Sequence, residues 1–193
     1  IGAEVFSISR SGNPIKNPLE DPLLQKVNWI KGNALDSHAY SKLDKIDTLI
    51  HSIGILREPS SKQDKFAETF ESEIRDTLKV SLEASKKFGA PLSRIGYISA
   101  ADFGFISRLL LSKYMKAKLE AEHLLESQNV PTIIARPGFM FGSDRFPTIP
   151  FSYAYSLLTL FSAGFFPKAL DVNVVARALI SNLGDENLSG VKY

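Results

Sequence analysis

Tyr114 and Lys118 stand four residues apart in Tyr114-Met115-Lys116-Ala117-Lys118. On a helix that spacing places both side chains on one face, one turn apart. A neighbouring ammonium favours the phenolate form of a tyrosine. Tyr114 is therefore expected to serve as general acid to a carbonyl oxygen, with Lys118 also holding a ribose hydroxyl. Ser99 lies fifteen residues before Tyr114 at the end of an apolar run, where its hydroxyl is expected to bond the same carbonyl. A Tyr-x-x-x-Lys pair occurs by chance on many helices. The preceding strand-end serine and the Arg136-Pro137-Gly138 that closes the next apolar run make this signal much stronger.

Other strand ends bear complementary groups. Arg10 sits between Ser9 and Ser11 at the end of Val5–Ser9. In a dinucleotide-binding fold this strand end meets the adenosine ribose. A carboxylate there accepts from the 2′-OH, whereas a guanidinium flanked by hydroxyls pairs with a 2′-phosphate. The expected preference is NADP(H) over NAD(H); the plainer alternative is a solvated arginine in a turn. Asn33 and Ala34 follow the next strand, and the Asn33 amide is placed to bond an adenine edge, or simply to close a turn. His51, Ser52 and Gly54 follow the third. Gly54 lets backbone approach a cofactor closely, and His51 reads as a hydrogen-bonded structural histidine with no proton transfer assigned to it.

The elements that must position these groups alternate in type. Val5–Ser9, Val27–Ile30, Thr48–His51, Ile95–Ser99 and Pro131–Ala135 read as strands, mostly bounded by Gly, Pro or Ser turn signals. Asn13–Pro22 holds three prolines and is loop. A short helix is expected over Asp36–Leu43, capped by Asp36 or Ser37. Phe66, Phe70, Ile74, Leu78 and Leu82 recur every four residues, one apolar stripe on a helix ending near Gly89. Arg108–Gln128 is helical in composition, and a last helix opens at Asp171. Strands alternating with helices predict an α/β fold, a doubly wound parallel sheet whose ligands bind at the carboxyl ends of its strands.

Composition narrows the classes. The 193 residues suit one core, with 44% hydrophobic and 23% charged residues. A net charge of +2 without a dense Lys/Arg block argues against a nucleic-acid partner. The chain has no cysteine, and His38, His51 and His123 lack metal-ligand spacing, so no metal site is expected.

Together, Ser9-Arg10-Ser11, Ile98-Ser99-Ala100, Tyr114 with Lys118, and Arg136-Pro137-Gly138 resemble the short-chain dehydrogenase/reductase superfamily in its extended or atypical branch. The likeness runs from Val5 to about Gly142. It is nearest to fungal mitochondrial members that accompany the coenzyme Q biosynthetic complex. It rests there on His51-Ser52-Ile53-Gly54-Ile55-Leu56, Tyr97–Ala100, Lys118–Glu122 and Arg136-Pro137-Gly138-Phe139-Met140-Phe141. The NADPH-binding accessory subunit of respiratory complex I is a more distant relative. This resemblance implies a Rossmann-like fold, a matrix-side mitochondrial place, peripheral to the inner membrane, and a role in ubiquinone biosynthesis. It also implies catalytic roles for Ser99, Tyr114 and Lys118. Cofactor contacts then fall to Ser9, Arg10, Ser11, Asn33, Ala34, His51, Ser52, Gly54, Lys118, Pro137 and Gly138. The superfamily opens with a strand and a Gly-x-x-Gly-x-x-Gly turn that binds pyrophosphate at a helix N-terminus. That first strand and glycine-rich loop are absent from the given chain, which therefore reads as a fragment. Without the strand, two sheet edges should lie exposed.

The expected organisation is a nucleotide-binding domain over 1–145 and an apolar C-terminal lobe over 146–193 packing on the same domain. Phe146–Pro167 holds no charged residue in 22 positions. Its three prolines argue against a simple membrane span, and a lid over a hydrophobic substrate is the leading reading, ahead of peripheral membrane contact. Two functions stay open: an NADP(H)-dependent reductase of a hydrophobic carbonyl or quinone-like substrate, and a non-catalytic NADPH-binding accessory or assembly subunit of a membrane-associated complex. A sugar-nucleotide epimerase fits less well, because so apolar a C-terminal part offers few groups for a sugar diphosphate.

Overall fold

The computed structural model describes residues 3–14, 21–43, 45–54, 71–88, 91–102, 112–142 and 169–185. Strand β1 (Val5–Ser9) pairs in parallel with β2 (Val27–Lys31), Val5 opposite Val27. Strands β3 (Thr48–His51), β4 (Arg94–Ile98) and β5 (Thr132–Ala135) form a second parallel set in the order β3-β4-β5. Parallel neighbours require crossovers. Helix α1 (Thr77–Phe88), entered through a π-helical segment Glu71–Asp76, links β3 to β4. Helix α2 (Ser112–Glu126) links β4 to β5. A two-residue parallel pair, β6 (Met140–Phe141) with β7 (Leu170–Asp171), leads into helix α3 (Val172–Gly184).

Alternation along the strands explains the layering. Ile95, Tyr97 and Ile134 turn to one face, where Ile74 of the π-helical segment, Leu78 and Leu82 of α1, and Ala117, Ala121 and Leu125 of α2 cover them. Ile133 turns to the other face against Leu179 and Leu183 of α3. At Gly96 a Cβ would stand 2.9 Å from Leu183 Cδ1, so the bare backbone lets α3 lie close to the sheet. Arg94 donates to the carbonyls of Leu183 (2.6 Å) and Asp185 (2.8 Å), a cation at the helix C-terminus. Helices on both faces of a parallel sheet, with α3 as a small C-terminal helical lobe, make a doubly wound Rossmann-like fold.

No described strand hydrogen-bonds β1 to β3, and the two sets stand as separate sheets among the described residues. Val5 and Ile50 are both exposed. Helix α1 spans the division. Its Ile74-facing side enters the core above, while Val80, Ala84 and Phe88 pack with Phe6, Ile8, Ile30 and Tyr40 over β1 and β2.

Two details differ from the sequence expectation. The Asp36–Leu43 segment is a single tight 3-10 turn, Ser37–Tyr40, with Asp36 accepting from the His38 N–H at 2.9 Å. The β6–β7 pair carries no alternation long enough to be read. The upstream part of the apolar stripe, Phe66 and Phe70, lies outside the described residues, as do Arg108–Leu111 and the lid reading of Phe146–Pro167. Among the described residues no helix is long and apolar enough to cross a membrane.

Candidate active site at the strand ends

Helix α2 presents three polar side chains on one face, each a turn apart: Tyr114, Lys118 and Glu122. Lys118 and Glu122 each meet the carboxyl end of a strand. Lys118 is 2% exposed, and its ammonium donates to Ile98 O (2.7 Å) at the end of β4 and to Ile53 O (3.3 Å) beyond β3. It sits 4.9 Å from the Tyr97 ring centroid and 5.9 Å from that of Tyr114. Among the described residues two of its three N–H groups are thereby committed and one is not. A Cβ built on Gly54 would lie 3.3 Å from Lys118 Nζ and 3.9 Å from the Tyr114 hydroxyl. Having no side chain, Gly54 itself adds no bulk beside either head.

Glu122 is 3% exposed and bound on all sides. Ser99 Oγ donates to its Oε1 at 2.5 Å, and Arg136 donates through Nε to Oε1 (2.9 Å) and through a terminal nitrogen to Oε2. One carboxylate so joins the ends of β4 and β5 to α2. The Ser99 hydroxyl has a single proton, and here it is donated in the hydrogen bond to Glu122, which leaves its oxygen as an acceptor. The backbone closes the same edge: Ser99 N–H donates to Ala135 O (2.7 Å) and Ala101 N–H to Pro137 O (2.9 Å). Gly138 follows, half-buried.

Beneath Lys118 lies His51, 3% exposed. Thr77 spends its hydroxyl proton on the carbonyls of Glu73 and Ile74, so His51 Nε2 is the donor in its 3.1 Å contact with Thr77. His51 Nδ1 and the Tyr97 hydroxyl have no partner among the described residues. Burial, reinforced by the Lys118 charge, pushes the His51 imidazole down to about 3. Burial likewise pushes Lys118 down to about 8, opposed by Glu122, and raises the Tyr97 phenol. His51 thus stays neutral in the folded state while the unfolded chain takes up a proton near 6.5. Its contribution to stability is complete above that value and is lost as pH falls toward 3, with a slope near 1.4 kcal/mol per pH unit. Urea unfolding between pH 6.5 and 5 should show this slope, and His51→Asn should flatten it; an equally steep profile in the variant would contradict the assignment.

The β1 end forms a separate cluster. Gly12, at φ 69°, turns the chain so that its N–H reaches Ser9 O (3.2 Å) and Ser9 Oγ (3.0 Å). Ser9 and Ser11 hydroxyls lie 3.3 Å apart. Arg10 points outward, 77% exposed, with its guanidinium 3.7 Å from Glu73. Asn33 Oδ1 accepts from Leu35 N–H at 3.1 Å, which leaves its amide N–H2 as the group able to meet a base edge. The Ala34 carbonyl accepts from the Tyr40 hydroxyl at 3.1 Å. Ser52 is exposed. No group of acidic or histidine side chains suited to a metal occurs among the described residues.

The structure thus brings Tyr114, Lys118, Gly54, Ser99 and Pro137 to one edge, and Ser9, Arg10 and Ser11 to another. Sequence reasoning missed Glu122, Arg136 as its partner, and Glu73. For Glu122 a signal existed: an acidic residue one further turn along the Tyr114–Lys118 face.

No family model matches the chain. The UDP-glucuronic acid 4-epimerase of Bacillus cereus, solved in complex with NAD, is 18% identical. It superposes with a TM-score of 0.63 over 98% of this chain and 67% of its own. RMD from Pseudomonas aeruginosa, solved with NADPH, is 18% identical with a TM-score of 0.65 over 99% and 75%. At these identities the two establish the fold. In sequence, MIOREX complex component 2 of Saccharomyces cerevisiae is 30% identical over 205 residues, spanning 84% of this chain and 73% of its own length. The chain belongs to the family of that yeast complex component.

Proposed function

We propose that this chain binds NADP(H) in preference to NAD(H) along the carboxyl ends of its strands and reduces a hydrophobic carbonyl or quinone-like substrate. The observation that carries the reading is the buried Lys118 ammonium, fixed by Ile98 O and Ile53 O beside the Tyr114 hydroxyl over the bare backbone of Gly54. The residues present fit a nicotinamide ribose: Lys118 keeps one N–H that the Ile98 and Ile53 carbonyls do not use, and Gly54 brings no side chain beside it. At the other end Arg10, Ser9 and Ser11 would hold the 2′-phosphate, Asn33 and Ala34 would flank the adenine, and Ser52, Pro137 and Gly138 would line the edge between. His51 supports Lys118 from below as a neutral, structural group.

When bound, the cofactor supplies a hydride to the substrate carbon. The protein supplies the proton, from Tyr114 Oη to the substrate oxygen. Lys118 holds a positive charge beside that hydroxyl below pH about 8, which favours the phenolate left behind. Ser99, whose hydroxyl donates to Glu122, would stand at the same strand end and help to position the reacting oxygen.

A second reading, a non-catalytic NADPH-binding accessory or assembly subunit, is favoured by the yeast relative's name as a complex component. In either reading the resemblance of the His51–Leu56 and Arg136–Phe141 motifs argues for a matrix-side mitochondrial role in ubiquinone biosynthesis. Calorimetric titration of the full-length protein with NADPH and NADH tests the cofactor assignment. Wild type is expected to favour NADPH, and Arg10→Asp to lose that preference. Equal preference in both proteins would remove Arg10 from the site. Turnover of NADPH by the isolated protein at enzyme-like rates would exclude the accessory reading.

A further inference from the structure

Glu73 belongs to no strand end, yet the fold brings it to one. It lies in the π-helical segment Glu71–Asp76 that enters α1, where an extra residue per turn redirects side chains from the helical path. Its carbonyl accepts from Thr77 Oγ1 at 2.9 Å, and Thr77 in turn takes the His51 N–H. The segment is therefore tied to the end of β3 while its carboxylate reaches across to Arg10 at the end of β1, 3.7 Å away. The pair joins two sheets that no described strand connects. Among the described residues Glu73 is the one acidic partner of the Arg10 guanidinium.

We propose that Glu73 is a specificity-determining residue for the adenosine end of the cofactor, tempering the preference for a 2′-phosphate that Arg10 imposes. This rests on the cofactor-binding reading above. A carboxylate within reach of the guanidinium has two effects there. It competes with a 2′-phosphate for Arg10 and repels the phosphate's charge once seated. Toward a free 2′-hydroxyl it is an acceptor, the role a carboxylate plays at this strand end in NAD-selective folds. The Arg10–Glu73 pair is solvent-exposed and weak enough for a ligand to open. The site thus holds an arginine for one cofactor and an acceptor for the other, and Glu73 keeps NADH within range.

The test is calorimetric titration of the full-length protein with NADPH and with NADH for wild type, Glu73→Gln, Arg10→Ala and the double variant. Glutamine keeps the backbone bond to Thr77, so the fold is not at issue. Glu73→Gln is expected to raise the NADPH-over-NADH affinity ratio about fivefold, the size of one exposed ion pair. Arg10→Ala should lower the ratio, and adding Glu73→Gln to it should restore less than half of the single-variant gain. An unchanged ratio in Glu73→Gln, with both cofactors bound, overturns this proposal and leaves the cofactor reading standing. Failure of wild type to bind either cofactor overturns both.

Discussion

Tyr114→Phe is expected to lower turnover of any carbonyl or quinone substrate by about 10²–10⁴-fold, the ordinary worth of a positioned general acid. The ring is half-buried and packs at the margin of the main core. Phenylalanine preserves that packing, and cofactor affinity should change little. Lys118 keeps its anchors on Ile98 O and Ile53 O in the variant, since neither involves the phenol. A selective loss of kcat with unchanged NADPH affinity therefore separates the proton donor from the scaffold. Turnover that survives Tyr114→Phe unchanged would sink the proposed mechanism, and the accessory reading would gain.

The largest effect on stability is expected at Glu122. Glu122→Leu leaves the Arg136 guanidinium and the Ser99 hydroxyl facing an apolar side chain. Removing one partner of a buried ion pair costs about 3–5 kcal/mol. Because the Arg136 side chain is 33% exposed and can recover some hydration, about 3 kcal/mol is the better figure. Glu122→Gln should cost less, since an amide oxygen still accepts from Ser99 or Arg136. Urea denaturation reads the difference as a shift of midpoint at constant slope. A Glu122→Leu variant within about 0.5 kcal/mol of wild type, the range of ordinary surface changes, would mean that the carboxylate does not join the strand ends as described.

Much of this edge was legible before any coordinates. Strands β1 to β5 announce themselves through short runs rich in β-branched and apolar residues, mostly bounded by Gly, Pro or Ser turn signals. The Tyr114–Lys118 spacing is a local, periodic fact, and helix geometry converts it directly into a shared face. The contacts that escaped are those between elements distant in sequence. Glu122 meets Ser99 across 23 residues, and Arg10 meets Glu73 across a sheet division. No periodicity reports such meetings. The role of Ser99 shows the consequence. From sequence its hydroxyl is expected to bond a substrate carbonyl; in the structure it donates to Glu122 Oε1, a partner the sequence did not announce. The 3-10 turn at Ser37–Tyr40 was overread as a longer helix because its capping aspartate is the same signal in both.

The most direct measurement is amide hydrogen exchange of the full-length protein with and without NADPH. The ends of β3, β4 and β5 are taken to form one cofactor-binding edge. Exchange should slow on binding at Ser52–Gly54, Ser99–Asp102 and Gly138–Gly142, and at Arg10–Gly12, while the outer face of α3 stays unchanged. Binding that leaves these strand ends unprotected, or protects only segments away from them, would contradict the account.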